Sequence, residues 1–184
     1  MSPCTSATDP LAVWGALAAA AFVALAAGPT AAQPAASVCQ SSDLGLAPSL
    51  AAWTAKIDVV SATGPAGLGT AELRVGQAAR VTLHGTREVS YSAQPAKPGG
   101  SVAHGGLLGF SVDRAGTYRV VLSSAAWVDV VRDGQAVASI AHGHGPECST
   151  IRKMVDYPLQ PGAYVLQISA NADRQVSVMV AGAP

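Results

Sequence analysis

His142, His144 and Glu147 are the residues of this chain whose types and spacing come closest to a metal site. A single glycine separates the two histidines, so both imidazoles project to one side if the segment is extended. Imidazole and carboxylate groups are ligands of iron and other divalent metals, and His84 or His104 could supply a third imidazole. A metal site at His142, His144 and Glu147 is one interpretation of this pattern. The alternative is a glycine-rich polar loop whose histidines bond to the backbone.

The element that positions these histidines is a predicted β-hairpin. The dipeptide Asp133-Gly134 is a strong signal for a two-residue hairpin turn, and with this turn Trp127 faces Ile140. Strict alternation then divides the hairpin residues between two faces. One face holds Trp127, Asp129, Val131, Ile140 and His142, and the other, predicted to face the core, holds Val128, Val130 and Val137.

Trp127, Asp129 and His142 therefore form a predicted ligand-binding ledge. An indole and an imidazole beside a carboxylate can hold a small molecule or a glycan. The alternative places Trp127 and Ile140 in the hydrophobic core, with Asp129 near its rim. The charges of Arg152 and Lys153 are expected to be solvated.

The first 32 residues have the features of a secretory signal peptide. Residues 11–28 are almost wholly apolar and run into Pro29-Thr30-Ala31-Ala32, which predicts cleavage after Ala32. The segment before them has no Lys or Arg and contains Asp9, so an uncleaved N-terminal membrane anchor is the alternative. Cleavage would place the mature protein in the periplasm or outside the cell, with no attachment to the membrane.

Cleavage would leave two cysteines, Cys39 and Cys148. In an exported chain this number predicts one disulfide, which would tie the N-terminal segment to the loop after the histidines. The competing interpretation is a thiolate metal ligand at Cys148. The predicted organisation is therefore a signal peptide at 1–32, a disulfide-tied segment at 33–69 and a β-domain at 70–184.

From residue 71 onward, apolar and polar residues alternate with the period of two that is typical of strands. Two copies of one phrase stand out, in which a glycine turn leads to a tyrosine and alternating apolar residues: Gly116-Thr117-Tyr118 and Gly162-Ala163-Tyr164. Turns at short intervals between such segments predict an all-β fold, an antiparallel β-sandwich of the jelly-roll kind with eight or nine short strands.

Composition narrows the class of partner. Acidic and basic residues are equal at 11 each, so no net field favours nucleic acid as a partner. The sequence has no Gly-rich phosphate loop, and no serine lies in a Gly-x-Ser-x-Gly nucleophile turn. The remaining candidates are a small molecule, a glycan or another component of the cell envelope.

Four runs of the sequence resemble a family of small exported proteins of alphaproteobacteria. They are residues 115–120, residues 126–131, the His142-Gly143-His144-Gly145-Pro146 run with Cys148, and residues 151–156. Some members of that family carry the label homogentisate 1,2-dioxygenase, so the resemblance implies a fold, an exported location and that label. This chain departs from cupin dioxygenases, because two residues separate His144 from Glu147 and no histidine follows His144. The glycine–tyrosine strands are also loosely similar to pre-peptidase C-terminal sandwich domains.

Two functions follow from these observations. The first is an exported β-sandwich that binds a ligand or an envelope component and needs no cofactor. The second is a small metal-dependent dioxygenase that uses His142 and His144, with iron or another divalent metal as its cofactor.

Overall fold

The computed structural model describes residues 43–183. The predicted signal peptide, its cleavage site and Cys39 lie outside this range. The described residues are mostly β-structure in two sheets dominated by antiparallel pairs, which confirms the all-β sandwich.

Sheet A has six strands and sheet B has five. Sheet A has the order β1 (Ile57–Val60), β2 (Ala78–Thr82), β11 (Gln175–Gly182), β5 (Gly116–Leu122), β9 (Lys153–Leu159) and β8 (Ala141–Gly143). Sheet B has the order β3 (His84–Gly85), β4 (His104–Val112), β10 (Gly162–Asn171), β6 (Trp127–Arg132) and β7 (Gln135–Ala136). The number of strands exceeds the prediction because β3, β7 and β8 have only two or three residues, too few to show alternation.

Three short 3₁₀-helices accompany the sheets, at Pro48–Thr54, Pro65–Thr70 and Thr86–Glu88. β1 pairs with β2, and the two strands are parallel. Sheet A therefore already includes residues before position 70. The predicted alternation over residues 71–75 gives no full strand. Glu72 instead forms an isolated bridge with Gly109, next to the free edge of β4.

The main core lies between the two sheets and is built from the alternating residues that the sequence indicated. It includes Val81, Leu108, Phe110, Val120, Leu122, Val128, Val130, Val155, Tyr157, Tyr164, Leu166 and Val178. A second cluster covers the other face of sheet A, where Trp53 and Leu50 of the first 3₁₀-helix pack with Val121, Ile151 and Met179. Both faces of sheet A are therefore partly apolar.

The two glycine–tyrosine phrases make the same local bond. The hydroxyl of Tyr118 donates to the carbonyl of Arg114 at 2.9 Å, and that of Tyr164 donates to the carbonyl of Gln160 at 2.8 Å. Each tyrosine thus closes the turn before its strand, four residues back. The repeated phrase in the sequence therefore corresponds to a repeated bond that closes a turn.

The predicted hairpin is confirmed close to its turn and wrong further away. Asp133 and Gly134 both have positive φ, at 51° and 75°, as a type I′ turn requires, and Arg132 pairs with Gln135. Ile140 does not face Trp127. Its N–H donates to the carbonyl of Asp156 in sheet A, and its side chain is 60% exposed. The register fails because the chain leaves sheet B after β7 and joins sheet A as β8.

Candidate functional site

Trp127 and Asp129 lie side by side at the start of β6. Because β7 pairs only with Val131 and Arg132, the first half of β6 forms an edge of sheet B. The two side chains project to the same face, and Trp127 Nε1 donates to both carboxylate oxygens of Asp129, at 3.0 and 3.1 Å. Both side chains are half-buried. The sequence prediction that these two residues share a face, away from the core face of β6, agrees with this arrangement.

Sheet A reaches the same region through β9. Lys153 and Tyr157 share the face of β9 that is directed toward sheet B. The Tyr157 hydroxyl donates to the carbonyl of Val128 at 3.0 Å, and Lys153 Nζ donates to the carbonyl of Ala126 at 2.8 Å. Two side chains of sheet A thereby hold the edge strand of sheet B.

His142 reaches this region from the neighbouring strand. It is paired directly with Val155 of β9, and directly paired residues project to the same face of a sheet. Its side chain is exposed. The third residue of the predicted ledge therefore comes from the other sheet, although the sequence placed it on the hairpin with Trp127.

These residues surround one cavity of about 310 Å³, called here the Trp127 cavity. Its lining comprises Trp127, Val128, Asp129, Val137, Ala138, Ser139, His142, Lys153, Val155 and Tyr157. All three residues predicted to bind a ligand are among them. The volume is at the small end of the range for small-molecule sites, and the lining combines aliphatic side chains with a few polar groups.

Two ammonium groups lie close to the Trp127 indole. Lys97 Nζ is 5.1 Å and Lys153 Nζ is 5.3 Å from the ring centroid, both within cation–π distance. Lys153 lines the cavity, whereas Lys97 contacts the indole from a loop that crosses sheet B. The indole is thus bounded by two cations and one carboxylate.

Burial shifts the pKa values of the groups in this cavity. Desolvation raises the pKa of Asp129, and the Trp127 hydrogen bond and the charge of Lys153 oppose this effect. Desolvation lowers the pKa of Lys153, and the like charge of Lys97 lowers it further, while Asp129 opposes both. Burial also raises the pKa of Tyr157, which therefore stays neutral. Both charged forms, carboxylate and ammonium, are disfavoured by this environment.

Residues 91–97, called here the strap, cross the face of sheet B that is turned away from sheet A. The Gln167 side chain fixes them, because its amide accepts from the N–H of Ala93 at 2.9 Å and donates to the carbonyl of Ala93 at 3.0 Å. Ser169 Oγ donates to the carbonyl of Lys97 at 2.8 Å. Because Ser169 pairs with Trp127 across the strands, this bond holds Lys97 beside the indole.

The start of the strap depends on a glycine. The Tyr91 hydroxyl donates to the carbonyl of Ile168 at 3.3 Å, and burial raises the pKa of Tyr91 to about 12. A Cβ at Gly105 would collide with the Tyr91 hydroxyl and with the carbonyl of Ile168. Gly105 therefore lets the tyrosine pass over β4 and β10.

A larger groove of about 800 Å³ lies on the same face of sheet B, beyond the strap. Gly109, Val165 and Val131 form one row of its floor, since Val165 pairs with both of the others. The charged residues of its lining are Glu72, Arg74, Asp113, Arg132 and Asp133. None of the residues predicted from the sequence to bind a ligand or a metal lines this groove.

The predicted metal ligands lie on the exposed loop around β8. His142, His144 and Glu147 are all exposed, and His144 Nδ1 lies 3.4 Å from the carbonyl of Arg152. Among residues 43–183, no group of three His, Cys, Asp or Glu side chains is close enough together to hold a metal ion.

The two candidate third ligands lie on other strands. His84 is in β3, where its Nε2 is 2.8 Å from the carbonyl of Ser61, and His104 is at the start of β4, with Nδ1 3.3 Å from the carbonyl of Ala172. These strands form the edge of sheet B opposite β6 and β7. The structure therefore does not bring them to His142 and His144.

Two residues beside the Trp127 indole, Lys153 and Lys97, were missed from the sequence. Lys153 was expected to be solvated, but it is half-buried, because it shares the inward alternation of Val155 and Tyr157. That alternation was a usable signal. Lys97 had no such signal, since only the bond between Ser169 and the strap, 72 residues apart in sequence, brings it to the indole.

Comparison with known proteins adds no name to this site. Neither the protein-family models nor the curated proteins include a match to this chain. Over residues 43–183, no helix has the length and apolar character needed to cross a membrane.

Proposed function

We propose that this chain is an exported β-sandwich that binds a small organic ligand in the Trp127 cavity. The observation that carries the proposal is convergence: Trp127 and Asp129 come from sheet B, and His142, Lys153 and Tyr157 come from sheet A. A concave site with an aliphatic lining and a few convergent polar groups is typical of small-molecule binding.

The shape of the site also supports binding. The indole is half-buried, so part of its surface stays available to a ligand. Its N–H is already bonded to Asp129, and the Tyr157 hydroxyl is already bonded to Val128. These bonds hold both side chains before a ligand arrives, which reduces the entropy lost on binding.

The alternative, a metal-dependent dioxygenase, has weaker geometric support. Its predicted ligands His142, His144 and Glu147 lie on an exposed loop, and the candidate third imidazoles of His84 and His104 lie at the opposite edge of sheet B. Elemental analysis of purified protein distinguishes the two functions. Stoichiometric iron that is lost in both His142→Ala and His144→Ala would favour the oxygenase.

The proposal includes a periplasmic or secreted location and a Cys39–Cys148 disulfide. The apolar run at residues 11–28 and the two cysteines outside the signal segment support both. The intact mass of the protein from an exporting host should correspond to a chain that begins near Gln33. Thiol titration of the unfolded, unreduced protein should find no free thiol; two reactive thiols would exclude the bridge.

Ligand binding is tested with the purified mature protein labelled with ¹⁵N in its tryptophan indoles. Sugars, amino acids, amines and organic acids are added at millimolar concentration while the Nε1–H resonances are recorded. We expect at least one compound class to shift the Trp127 resonance and to leave that of Trp53 in place. A Trp127→Phe variant assigns the signals. If no compound shifts the Trp127 resonance, the proposed binding site is wrong.

A further inference from the structure

The chemical class of the ligand can be inferred from the charges beside Trp127. The ion pairs described within residues 43–183 include neither Lys97 nor Lys153. An ammonium group has three N–H donors, and the described partner of Lys153 Nζ is a single carbonyl, that of Ala126. Lys153 therefore lines the cavity with no carboxylate of residues 43–183 within ion-pair distance.

Arg119, a cation on the neighbouring strand β5, has an ion-pair partner that Lys153 lacks among the described residues. Arg119 of β5 pairs with Asp156 of β9, and Nε and Nη2 of the guanidinium each lie 2.7 Å from one carboxylate oxygen. Asp156 is thus neutralised on the outer face of sheet A. Lys153 lies three residues away on β9, on the inward face, and has no such partner among the described residues. Half-buried cations usually have one.

The carboxylate nearest to the cavity does not balance the two lysines. Both oxygens of Asp129 accept from Trp127 Nε1, and the two ammonium groups lie near the ring of the same indole. Of these three charged groups, Asp129 and Lys153 line the cavity, and Lys97 adds a second positive charge on the indole outside the lining. Ser169 holds this second charge in place, because its hydroxyl donates to the backbone carbonyl of Lys97.

We propose that the Trp127 cavity binds a small organic anion, whose carboxylate or phosphate pairs with Lys153 and whose apolar part contacts Val137, Val155 and the indole. This inference rests on the proposed binding function. Charge-assisted hydrogen bonds to an ammonium are stronger than neutral ones, and Lys97 contributes attraction without direct contact. The ammonium groups of Lys153 and Lys97 discriminate against amines of the same shape.

The test uses four probes with one aromatic body and different polar groups: benzoate, phenyl phosphate, benzamide and benzylamine. Each is titrated into the labelled mature protein, and the Trp127 Nε1–H resonance reports binding. We expect benzoate or phenyl phosphate to shift this resonance with saturation, and benzamide and benzylamine to bind at least about tenfold more weakly. The tighter of the two anions identifies carboxylate or phosphate as the preferred group.

Three lysine variants locate the interaction. Lys153→Met should weaken binding of the anion about tenfold, because it removes a charged hydrogen-bond donor. Lys97→Met should weaken it about threefold, because it removes only a nearby charge. Lys56→Met is the matched control: it removes the ammonium that lies 4.8 Å from the Trp53 ring, away from the cavity, and should leave the affinity unchanged.

The outcomes separate this inference from the proposed function. If benzamide or benzylamine binds as tightly as both anions, or if Lys153→Met binds the anion normally, the anion assignment is wrong and the cavity keeps its proposed binding role. If the broader compound set yields only neutral or cationic ligands, the same conclusion follows. If no compound of any class shifts the Trp127 resonance, both proposals fail.

Discussion

Trp53 and Trp127 share two local contacts but differ in burial. Each indole N–H donates to an oxygen, Thr150 Oγ1 at 2.8 Å for Trp53 and the Asp129 carboxylate for Trp127. Each ring also has a lysine ammonium about 5 Å from its centroid. Trp53 is 0% exposed and packs in the apolar cluster over sheet A, whereas Trp127 is half-buried beside a cavity.

A hydrogen-bonded indole with a nearby cation therefore does not by itself mark a binding site. At Trp53 the pattern completes the packing of the first 3₁₀-helix, and no indole surface remains for a ligand. At Trp127 the same pattern adjoins an accessible volume, and a second ammonium group lies near the ring. Accessible space and the second ammonium group are the features that distinguish the two sites.

Trp53→Ala should cause the largest loss of stability. The side chain is fully buried, so its removal loses a large apolar surface and leaves a cavity, and we expect the free energy of unfolding to fall by about 3–5 kcal/mol. Urea denaturation followed by circular dichroism measures this change. A loss no greater than that of Trp127→Ala would contradict the contrast between the two tryptophans.

Trp127→Ala should affect ligand affinity more than folding. The half-buried indole forms one wall of the cavity, so we expect a more than tenfold loss of affinity for the best benzoate-type probe. The free energy of unfolding should fall by less than in Trp53→Ala. Calorimetric titration and urea denaturation of the same preparation measure the two effects. If the variant keeps full affinity, Trp127 is not part of the binding site.

Thr150→Val tests the hydrogen bond of the buried tryptophan. Valine has nearly the shape of threonine but no hydroxyl, so the variant leaves Trp53 Nε1 without its oxygen acceptor and also breaks the bond from Thr150 Oγ1 to Asp43. We expect the free energy of unfolding to fall by about 1 kcal/mol, with no change in ligand affinity. A change in affinity would indicate that the Trp53 region and the cavity are coupled.

Asp129→Asn should have the smallest effect, visible mainly as a change with pH. The raised pKa of Asp129 means that the folded state holds this proton more tightly than the unfolded state. Its ionisation therefore lowers the stability of the parent as pH rises through the interval above its ordinary value of about 4. The difference in unfolding free energy, variant minus parent, should rise over that interval and then level off. A difference independent of pH would contradict the shift.

The sequence predicts the parts of the site that depend on local alternation. Trp127 and Asp129 share a face because they are two residues apart on one strand, and the Asp133-Gly134 turn holds for the pair next to it. The same rule, applied to Lys153 with Val155 and Tyr157, would have placed the lysine inward. Local rules missed the position of Lys97, and they placed His142 on the wrong sheet.

These two failures have physical causes. The chain crosses between the sheets over residues 137–141, before His142. This segment has no Gly or Pro that would predict the crossing. Lys97 is positioned by the side chain of Ser169, which is far away in sequence. The strap is held by the side-chain amide of Gln167, which bonds to its backbone as a neighbouring strand would. Such long-range bonds depend on the assembled sheets and produce no periodic pattern in the sequence.

The position of β11 has a consequence for when the protein can fold. β11 lies between β2 and β5 in sheet A, and Ala79 of β2 pairs with Val178, about 100 residues later in the chain. Until β11 has been synthesised, β1 and β2 cannot join the rest of that sheet. Pairing at such sequence separation is slow, because loop closure precedes the favourable contacts. Sheet A would therefore stay divided into two parts, β1–β2 and β5–β9–β8, until β11 is available to join them.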